Sequence, residues 1–286
     1  MNVKNINFNY MSTYLVPVDF SKTADHAAKY AARLSFAMTN AKIILLNAYY
    51  VSEYESILPT PDMLVTTDDR IADEISDRLA ALEKLKAKLL EINPQAEVEV
   101  YLTRDTILRS VIDRVNREEI ELIIIGSNGK KAKDESDIGS NAIKISKSSP
   151  VPVLVVPPKA DYQSIRKAVL ACDFKKVKEV IPMRALKNIL SKHALELLVL
   201  NINSGHHIDR EEEHFLHDML SDFSPAYHYS DHPDTIKGIV KFAKNEAAQL
   251  IIALPKKYSF FESLLHESVS QKLTIKSHVP VLLLKD

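Results

Sequence analysis

The chain is poor in the features that mark several large classes of protein. Cys172 is the only cysteine in 286 residues, so an intrachain disulfide framework is excluded. The longest apolar runs, such as residues 122–125 and 153–156, are strand-sized and far too short to span a bilayer. The first residues contain no continuous apolar stretch of the kind found in secretory signals. We therefore expect a cytoplasmic protein with no membrane partner.

An excess of charge of one sign is also missing. The net charge is −1, which gives no overall electrostatic bias toward nucleic acid, so no nucleic-acid partner is expected. Apolar residues make up 46% and charged residues 26% of the chain, as in ordinary globular proteins. A chain of 286 residues is long enough for roughly two domains, each with its own core.

Glycine is scarce, and its distribution is uneven. The chain has five glycines, of which three (Gly126, Gly129 and Gly139) lie within one short segment, whereas the first 125 residues contain none. Because glycine allows tight turns and a close approach of the backbone to a ligand, this concentration indicates a local requirement on the main chain.

A repeat divides the chain into two similar halves. Residues 121–158 align without a gap on residues 249–286, at a constant offset of 128. Near the start of each half, a second match at an offset of 154 pairs Asp19 with Asp173. The repeat predicts two domains of related fold. We place the first at 1–158, with the glycine segment intact, and the second at 159–286, where that segment is degenerate.

Strands and helices are predicted to alternate within each half. Continuous runs of Val, Ile and Leu joined by helices are typical of parallel strands that are buried on both faces. The predicted fold class is therefore α/β, with two tandem doubly wound, Rossmann-like domains of five parallel strands each. In the first half the predicted strands are 13–19, 42–50, 97–102, 121–126 and 152–156, and the predicted helices are 22–38, 73–93, 106–117 and 140–148.

The repeat also provides an internal control for the glycine segment. The flanking strand and helix patterns persist in the second half although the glycines do not, so we infer that the glycines serve a ligand of the first half rather than the architecture. The residues aligned with the three glycines are Leu254, Lys257 and Glu267.

The glycine segment is suited to holding a phosphate chain. It follows a predicted strand, and in doubly wound sheets ligands bind beyond the carboxyl ends of the strands. Gly139, Ser140 and Asn141 open a short predicted helix, whose free N–H groups favour an anion. Lysines at 130, 131 and 133 add positive charge, whereas acidic residues at 134, 135 and 137 oppose a phosphate unless they face solvent or hold a divalent ion. A lone GxxG, in contrast, is common in turns.

The spacing Gly126-x2-Gly129-x9-Gly139-Ser140-Asn141 resembles the ATP-binding signature of the universal stress protein family, G-x2-G-x9-G-[ST]. The stretches "VPVDFS", "ILLNAYYV" and "SPVPVLVVP" resemble that family's first, second and closing strands. The resemblance covers nearly the whole chain and implies a tandem universal stress protein with an adenine nucleotide alpha hydrolase-like fold. Two positions depart from the family's pattern: Asn47 stands where a His is common, and residues 103–106 lack a Gly-x-Pro.

The resemblance also implies a role for each site residue. Asp19 would bind the ribose hydroxyls, and Pro17, Val18 and Ala48 would form the wall for the adenine. The phosphates would lie under Gly126 and Gly129, with the terminal ones bound by Gly139, Ser140 and Asn141. The implied cofactor is ATP, with Mg²⁺ left open. We predict at most slow hydrolysis, since no general base is evident beside the loop.

Single-domain relatives commonly dimerise through antiparallel pairing of their last strands. By resemblance, residues 151–156 and 279–284 would pair within this chain and relate its halves by a pseudo-twofold axis. This pairing would cover two exposed strand edges. A homodimer and unknown protein partners are left open.

Two alternatives come from other classes of protein. The chain could be an interaction scaffold that binds no nucleotide and uses Tyr258, Phe260 and Phe261 in the degenerate segment. It could also be a metal-dependent enzyme that uses the histidine-rich segment 206–232, where His214 and His217 share a helix face at a spacing compatible with zinc.

Overall fold

Strands and helices alternate along the part of the chain that the computed structural model describes. That part comprises residues 12–36, 41–50, 67–129, 139–174, 177, 181–192, 195–203, 209–253, 277 and 279–284. In chain order the elements are β1 (Ser12–Pro17), α1 (Lys22–Ser35), β2 (Ala41–Ala48), α2 (Thr67–Ile92), β3 (Glu97–Thr103), α3 (Ile107–Arg117), β4 (Leu122–Gly126), α4 (Ser140–Ser148), β5 (Val153–Val156), β6 (Lys167–Ala171), α5 (Met183–Lys192), β7 (Glu196–Asn203), α6 (Arg210–Leu220), a 3₁₀ turn (Ser221–Phe223), β8 (Ala226–Asp231), α7 (Thr235–Asn245), β9 (Leu250–Ala253) and β10 (Val281–Leu283).

The ten strands form one sheet in the order β3-β2-β1-β4-β5-β10-β9-β6-β7-β8. Neighbouring strands within each half are parallel, which confirms the predicted fold class. The halves meet through β5 and β10, which pair antiparallel with Leu154 opposite Leu282, as the resemblance implied. The connection between the halves runs from the end of β5 to the start of β6. The boundary that we place between 158 and 159 lies in this connection and remains a proposal.

Helices cover both faces of the sheet. Buried side chains of α1, α2, α5 and α6 belong to one hydrophobic cluster, and those of α3, α4 and α7 belong to a second cluster on the opposite face. Both clusters continue across the seam between the halves. Leu154 and Leu282 lie in the first, and Val155 and Val281 in the second. The two halves therefore share their hydrophobic cores at β5 and β10.

The repeat seen in the sequence recurs in individual hydrogen bonds. Before β5, Ser149 Oγ donates to the carbonyl of Val151 over 2.7 Å. Before β10, Ser277 Oγ donates to the carbonyl of Val279 over 2.9 Å. These two pairs are related by the offset of 128, so the alignment corresponds to equivalent local geometry.

Two helix boundaries differ from the predicted ones by more than one residue. Helix α2 begins at Thr67, six residues before the predicted start at 73. Helix α1 ends at Ser35, and the predicted continuation to 38 reaches beyond the described residues. The start of α1 agrees with the prediction because Ser21 Oγ accepts a hydrogen bond from Ala24 N over 3.1 Å and caps the helix. Among the described residues, none of the helices is both long and apolar enough to cross a membrane.

Candidate functional site

The candidate site lies where the strand order of the first half reverses. The chain builds β1, β2 and β3 toward one edge and then returns to place β4 and β5 on the other side of β1. In such sheets the loops after the two central strands leave a crevice at their carboxyl ends. Asp19 follows β1, and Gly126 is the last residue of β4. The sheet topology therefore brings these two sequence-predicted residues to the same crevice.

A rigid turn after β1 holds Asp19 in place. Its Oδ1 atom accepts a hydrogen bond from Ser21 N over 3.0 Å. The next residue, Phe20, has a φ of 61°, in the left-handed region that non-glycine residues seldom adopt. Together with the Ser21 cap on α1, these features fix the backbone between β1 and α1, so the Asp19 carboxylate sits at the end of the strand.

Gly129 brings together the three predicted parts of the site, which are the Asp19 carboxylate, the glycine loop and the start of α4. A Cβ atom on Gly129 would lie 2.5 Å from Asp19 Oδ2, and a Cβ on Gly139 would lie 3.2 Å from Gly129 N. Gly129 and Gly139, which flank residues 130–138, are thus in contact, and Gly129 also touches the Asp19 carboxylate. Any side chain at Gly129 would occupy this space.

The start of α4 is suited to an anion. Gly139 is its N-cap residue and has no side chain with which to cap the helix. The side chains of Ser21, Asp209 and Asp234 cap α1, α6 and α7, whereas Thr106 at the start of α3 makes no capping hydrogen bond with its side chain. First-turn N–H groups need partners from outside the helix, and an anion supplies such partners. Ser140 and Asn141 are the first two residues of this turn.

Gly126 has a packing role that the sequence did not predict. A Cβ atom there would lie 2.8 Å from the carbonyl oxygen of Thr23 in α1. Contacts this short with backbone atoms are not tolerated without a shift of the helix. The inference that all three glycines are dispensable for the architecture is therefore wrong for Gly126, which lets α1 pack against the end of β4.

Sequence reasoning missed two polar residues between the first two glycines. Asn128 Oδ1 accepts a hydrogen bond from Thr23 Oγ1, and both residues are buried. Ser127 is fully buried, and the described part of the chain gives its hydroxyl no hydrogen-bond partner. Its carbonyl accepts from Gly139 N over 2.8 Å, which ties the two ends of the loop together. The sequence signal for them was only their place between two closely spaced glycines of the predicted loop.

The predicted adenine wall is distributed over the sheet. Pro17 is the last residue of β1 and is buried. The side chain of Val18 belongs to the cluster beneath α1, whereas Ala48, the last residue of β2, packs against the cluster on the other face. Val18 and Ala48 therefore face opposite sides of the sheet. Their contact with an adenine ring remains a prediction.

Asn47 has a structural role at the position where the family commonly has a His. Its Nδ2 atom donates to the carbonyl of Val18 over 2.6 Å, and its Oδ1 accepts from Arg78 Nη1 over 3.0 Å. The Arg78 guanidinium lies 5.2 Å from the centre of the Tyr49 ring and pairs with Glu74. Arg78 thus places positive charge near the carboxyl end of β2, a feature that sequence reasoning did not identify.

Several residues considered from the sequence lie outside the described part of the chain. They include the charged residues of 130–138, all three aromatic residues of the degenerate segment, and the histidines at 206 and 207. Of the described histidine pair, His214 lies 3.8 Å from Asp218, and the His217 ring stacks on Tyr227 with centroids 3.6 Å apart. Within the described ranges, no group of three or more His, Cys, Asp or Glu side chains comes together as a metal site.

Comparison with known proteins identifies a family. The model of the universal stress protein family matches residues 11–157, just over half of the chain. A universal stress protein of Methanocaldococcus jannaschii is 28% identical over 152 residues, which cover 50% of this chain and 92% of that protein.

Solved structures share the arrangement of the whole chain. A universal stress protein from Archaeoglobus fulgidus aligns with a TM-score of 0.67 at 17% identity and covers 97% of this chain and 98% of its own. A protein of unknown function from Pseudomonas aeruginosa aligns with a TM-score of 0.58 at 14% identity, covering 97% of this chain and 93% of its own. At these identities the likeness concerns the fold alone.

Proposed function

The chain belongs to the universal stress protein family, and we propose that it binds one ATP molecule, in its N-terminal half. The observation that carries the proposal is the position of Gly129, whose backbone lies against both the Asp19 carboxylate and Gly139. This one contact joins a carboxylate, a glycine loop and an uncapped helix start at the crevice between β1 and β4.

Each part of this crevice suits one part of a nucleotide. The Asp19 carboxylate, held by Ser21 N, has acceptor capacity for the ribose hydroxyls. The phosphates would lie against the loop that begins at Gly126 and runs through Gly129, and Gly139, Ser140 and Asn141 offer first-turn N–H groups and a hydroxyl to the terminal ones. Adenine would lie beyond the carboxyl ends of β1 and β2, where Pro17, Val18 and Ala48 lie, rather than between the side chains of Val18 and Ala48. When bound, ATP would supply the negative charge that these donors need, together with Mg²⁺ if the metal accompanies it.

We propose binding rather than turnover as the main activity, with hydrolysis at most slow. Ligands that bind only the folded chain stabilise it by mass action, so a bound nucleotide can act as a signal or as a structural element. We also propose a regulatory role in the response to stress and a cytoplasmic location. A homodimer and the protein partners of such a role are left to experiment.

Calorimetric titration of the full chain with ATP and Mg²⁺ tests the proposal. We expect one site per chain. Asp19→Asn should weaken binding about tenfold or more, because a charge-assisted hydrogen bond to the ribose is lost. The asparagine oxygen can still accept the hydrogen bond from Ser21 N, so the turn should remain folded.

The repeat offers a matched control for this variant. Asp173 is the residue aligned with Asp19 in the second half, and Asp173→Asn should leave ATP affinity unchanged. No binding by the unaltered chain at millimolar ATP would refute the proposal. Equal losses from the two substitutions would refute the assignment to the N-terminal half.

A further inference from the structure

A cavity of about 190 Å³ lies at the seam between the two halves. It sits on the face of the sheet that carries α1 and α5, and strands of both halves form its floor. Leu34, near the end of α1, lines one side, and residues of α5 line the other. Thr23, near the start of α1, contacts the glycine loop. The cavity is thus separated from the proposed nucleotide site by most of the length of α1.

The apolar walls of this seam cavity are contributed in matched pairs. Leu122 and Leu250 both line it, and so do Leu154 and Leu282. The members of each pair are related by the offset of 128, and the second pair is directly opposed in the β5–β10 ladder. The cavity therefore lies on the pseudo-twofold axis. Ile165, Ile189 and Leu195 extend the apolar lining on the side of the second half.

The size and lining of the cavity suit a small apolar molecule. An apolar cavity of about 150 Å³ engineered into another protein remains free of water and binds benzene. The seam cavity is somewhat larger, and it reaches the surface beside Asn188, an exposed residue of α5. A molecule with one aromatic ring and a short substituent would fill it.

The polar groups of the cavity break its symmetry. Glu121 and Tyr14 line it from the first half. Burial raises the pKa of the Tyr14 hydroxyl, and the negative charge of Glu121 raises it further, so Tyr14 stays neutral. The residue aligned with Glu121 in the second half is Gln249, whose side-chain oxygen accepts hydrogen bonds from the N–H groups of Arg166 and Lys167. The first half thus supplies the carboxylate.

We propose that the seam cavity binds a small aromatic or aliphatic amine, with its apolar part among the leucines and its ammonium group beside Glu121. A carboxylate at one end of an apolar cavity favours a cation over a neutral molecule and disfavours an anion. The ligand would contact both halves at once and would stabilise their pairing through β5 and β10. This site is independent of the proposed ATP site, so a test that refutes one of the two proposals leaves the other unaffected.

Three probes of similar size separate the contributions of shape and charge. The full chain, labelled on Leu and Ile methyl groups, is titrated at neutral pH with benzylamine, toluene and benzoate and followed by NMR. We expect saturable shifts of the Leu154, Leu282 and Ile189 methyl groups. Benzylamine should bind about tenfold more tightly than toluene, because an ion pair adds to the same apolar contacts, and benzoate should bind more weakly than both.

Variants test the location of the site. Glu121→Gln should reduce the affinity for benzylamine to that for toluene or below it, because the ammonium group then loses water without gaining a counter-charge, and should leave toluene unchanged. Glu119→Gln removes the same charge from an exposed residue outside the lining and should change neither affinity. Ala185→Leu places a larger side chain on the α5 wall and should abolish binding of both probes.

Each contrary result overturns the proposal. An absence of saturable shifts with all three probes excludes the cavity as a binding site. If benzoate binds as tightly as benzylamine, the proposed preference for an amine is excluded. Shifts that map to methyl groups away from the seam exclude the location, and this readout holds even if Ala185→Leu fails to fold.

Discussion

The two halves of the chain share the turn that follows their first strand but differ in the loop that follows their fourth. Phe20 and Phe174, at equivalent positions, both adopt left-handed backbone conformations, with φ values of 61° and 51°. Asn47 donates to the carbonyl of Val18, and its counterpart Asn201 donates to the carbonyl of Cys172 over 3.0 Å. We infer that this backbone turn and this buried hydrogen bond serve the fold, since they recur although the copies have diverged elsewhere.

The glycine loop is where the copies diverge. Gly126, Gly129 and Gly139 are aligned with a leucine, a lysine and a glutamate in the second half. A difference between copies does not by itself indicate a ligand, however. Gly126 packs against the backbone of Thr23, whereas Gly129 faces the Asp19 carboxylate. The comparison of sequences selects the loop, and the geometry separates the glycine that packs from the glycine that faces the crevice.

The largest expected effect comes from placing a charged side chain in the crevice. Gly129→Asp puts a second carboxylate beside Asp19, in space that the phosphates would need. We expect at least about a hundredfold loss of ATP affinity, measured by calorimetry, because a like charge and a steric block act together. The melting temperature should fall only modestly, because the new Cβ atom meets the end of the Asp19 side chain, which can shift, rather than backbone. Lys257→Asp, at the aligned position of the second half, is the control and should leave ATP affinity unchanged.

A smaller effect, on stability rather than binding, is expected at Gly126. Its Cβ atom in Gly126→Ala would approach the carbonyl oxygen and carbon of Thr23 to 2.8 and 2.9 Å. Helix α1 would have to shift, which should cost about 2 kcal/mol of the free energy of unfolding in urea. Gly129→Ala meets only the side chain of Asp19 and should cost less. An equal or greater loss at Gly129 would contradict this division of roles between the two glycines.

Loss of the recurring asparagine should destabilise both halves. Asn47→Ala and Asn201→Ala each remove the side-chain donor to a carbonyl at the end of a first strand. Both asparagines are buried, so each substitution should lower the free energy of unfolding by about 1–2 kcal/mol. Asn47→Ala also removes the acceptor for Arg78 and should be the costlier of the two. An effect confined to one half would show that this hydrogen bond is not a common element of the fold.

The smallest effect is expected at Glu99, an ion-paired residue that the second half replaces. Glu99 pairs with Lys42 over 2.7 Å and with Arg114, while the register places Ala226 at its position in the second half. Burial would raise the pKa of Glu99, but the hydrogen bond from Lys42 and the charge of Arg114 outweigh burial and lower it. Because the side chain is one-third exposed, Glu99→Gln should cost only about 0.5 kcal/mol.

The sign of the pKa shift fixes the pH dependence of this effect. A lowered pKa means that the folded chain stabilises the ionised form of Glu99. The difference in unfolding free energy between the original chain and Glu99→Gln should be fully present above the unfolded pKa of about 4.3 and disappear as the pH falls through the lowered pKa. A difference that grows on acidification would contradict the assigned role of Glu99.

Much of the fold could be predicted because it depends on local patterns and on the repeat. Apolar runs separated by amphipathic helices gave the strands of the first half, and the constant offset gave the second half its fold. The contacts of Gly126 with Thr23 and of Asn47 with Val18 were not predictable, because they join residues distant in sequence through backbone atoms that no pattern of side chains encodes. Ser127 was missed for a different reason, since its burial depends on how the loop closes on Gly139.

The central claim is that two copies of one fold carry a single nucleotide site. Native mass spectrometry of the full chain with ATP tests this most directly, because it counts bound nucleotides per chain. We predict one ATP per chain, none for Gly129→Asp, and one for Asp173→Asn. Two bound nucleotides per chain, or one that persists in Gly129→Asp, would contradict the claim.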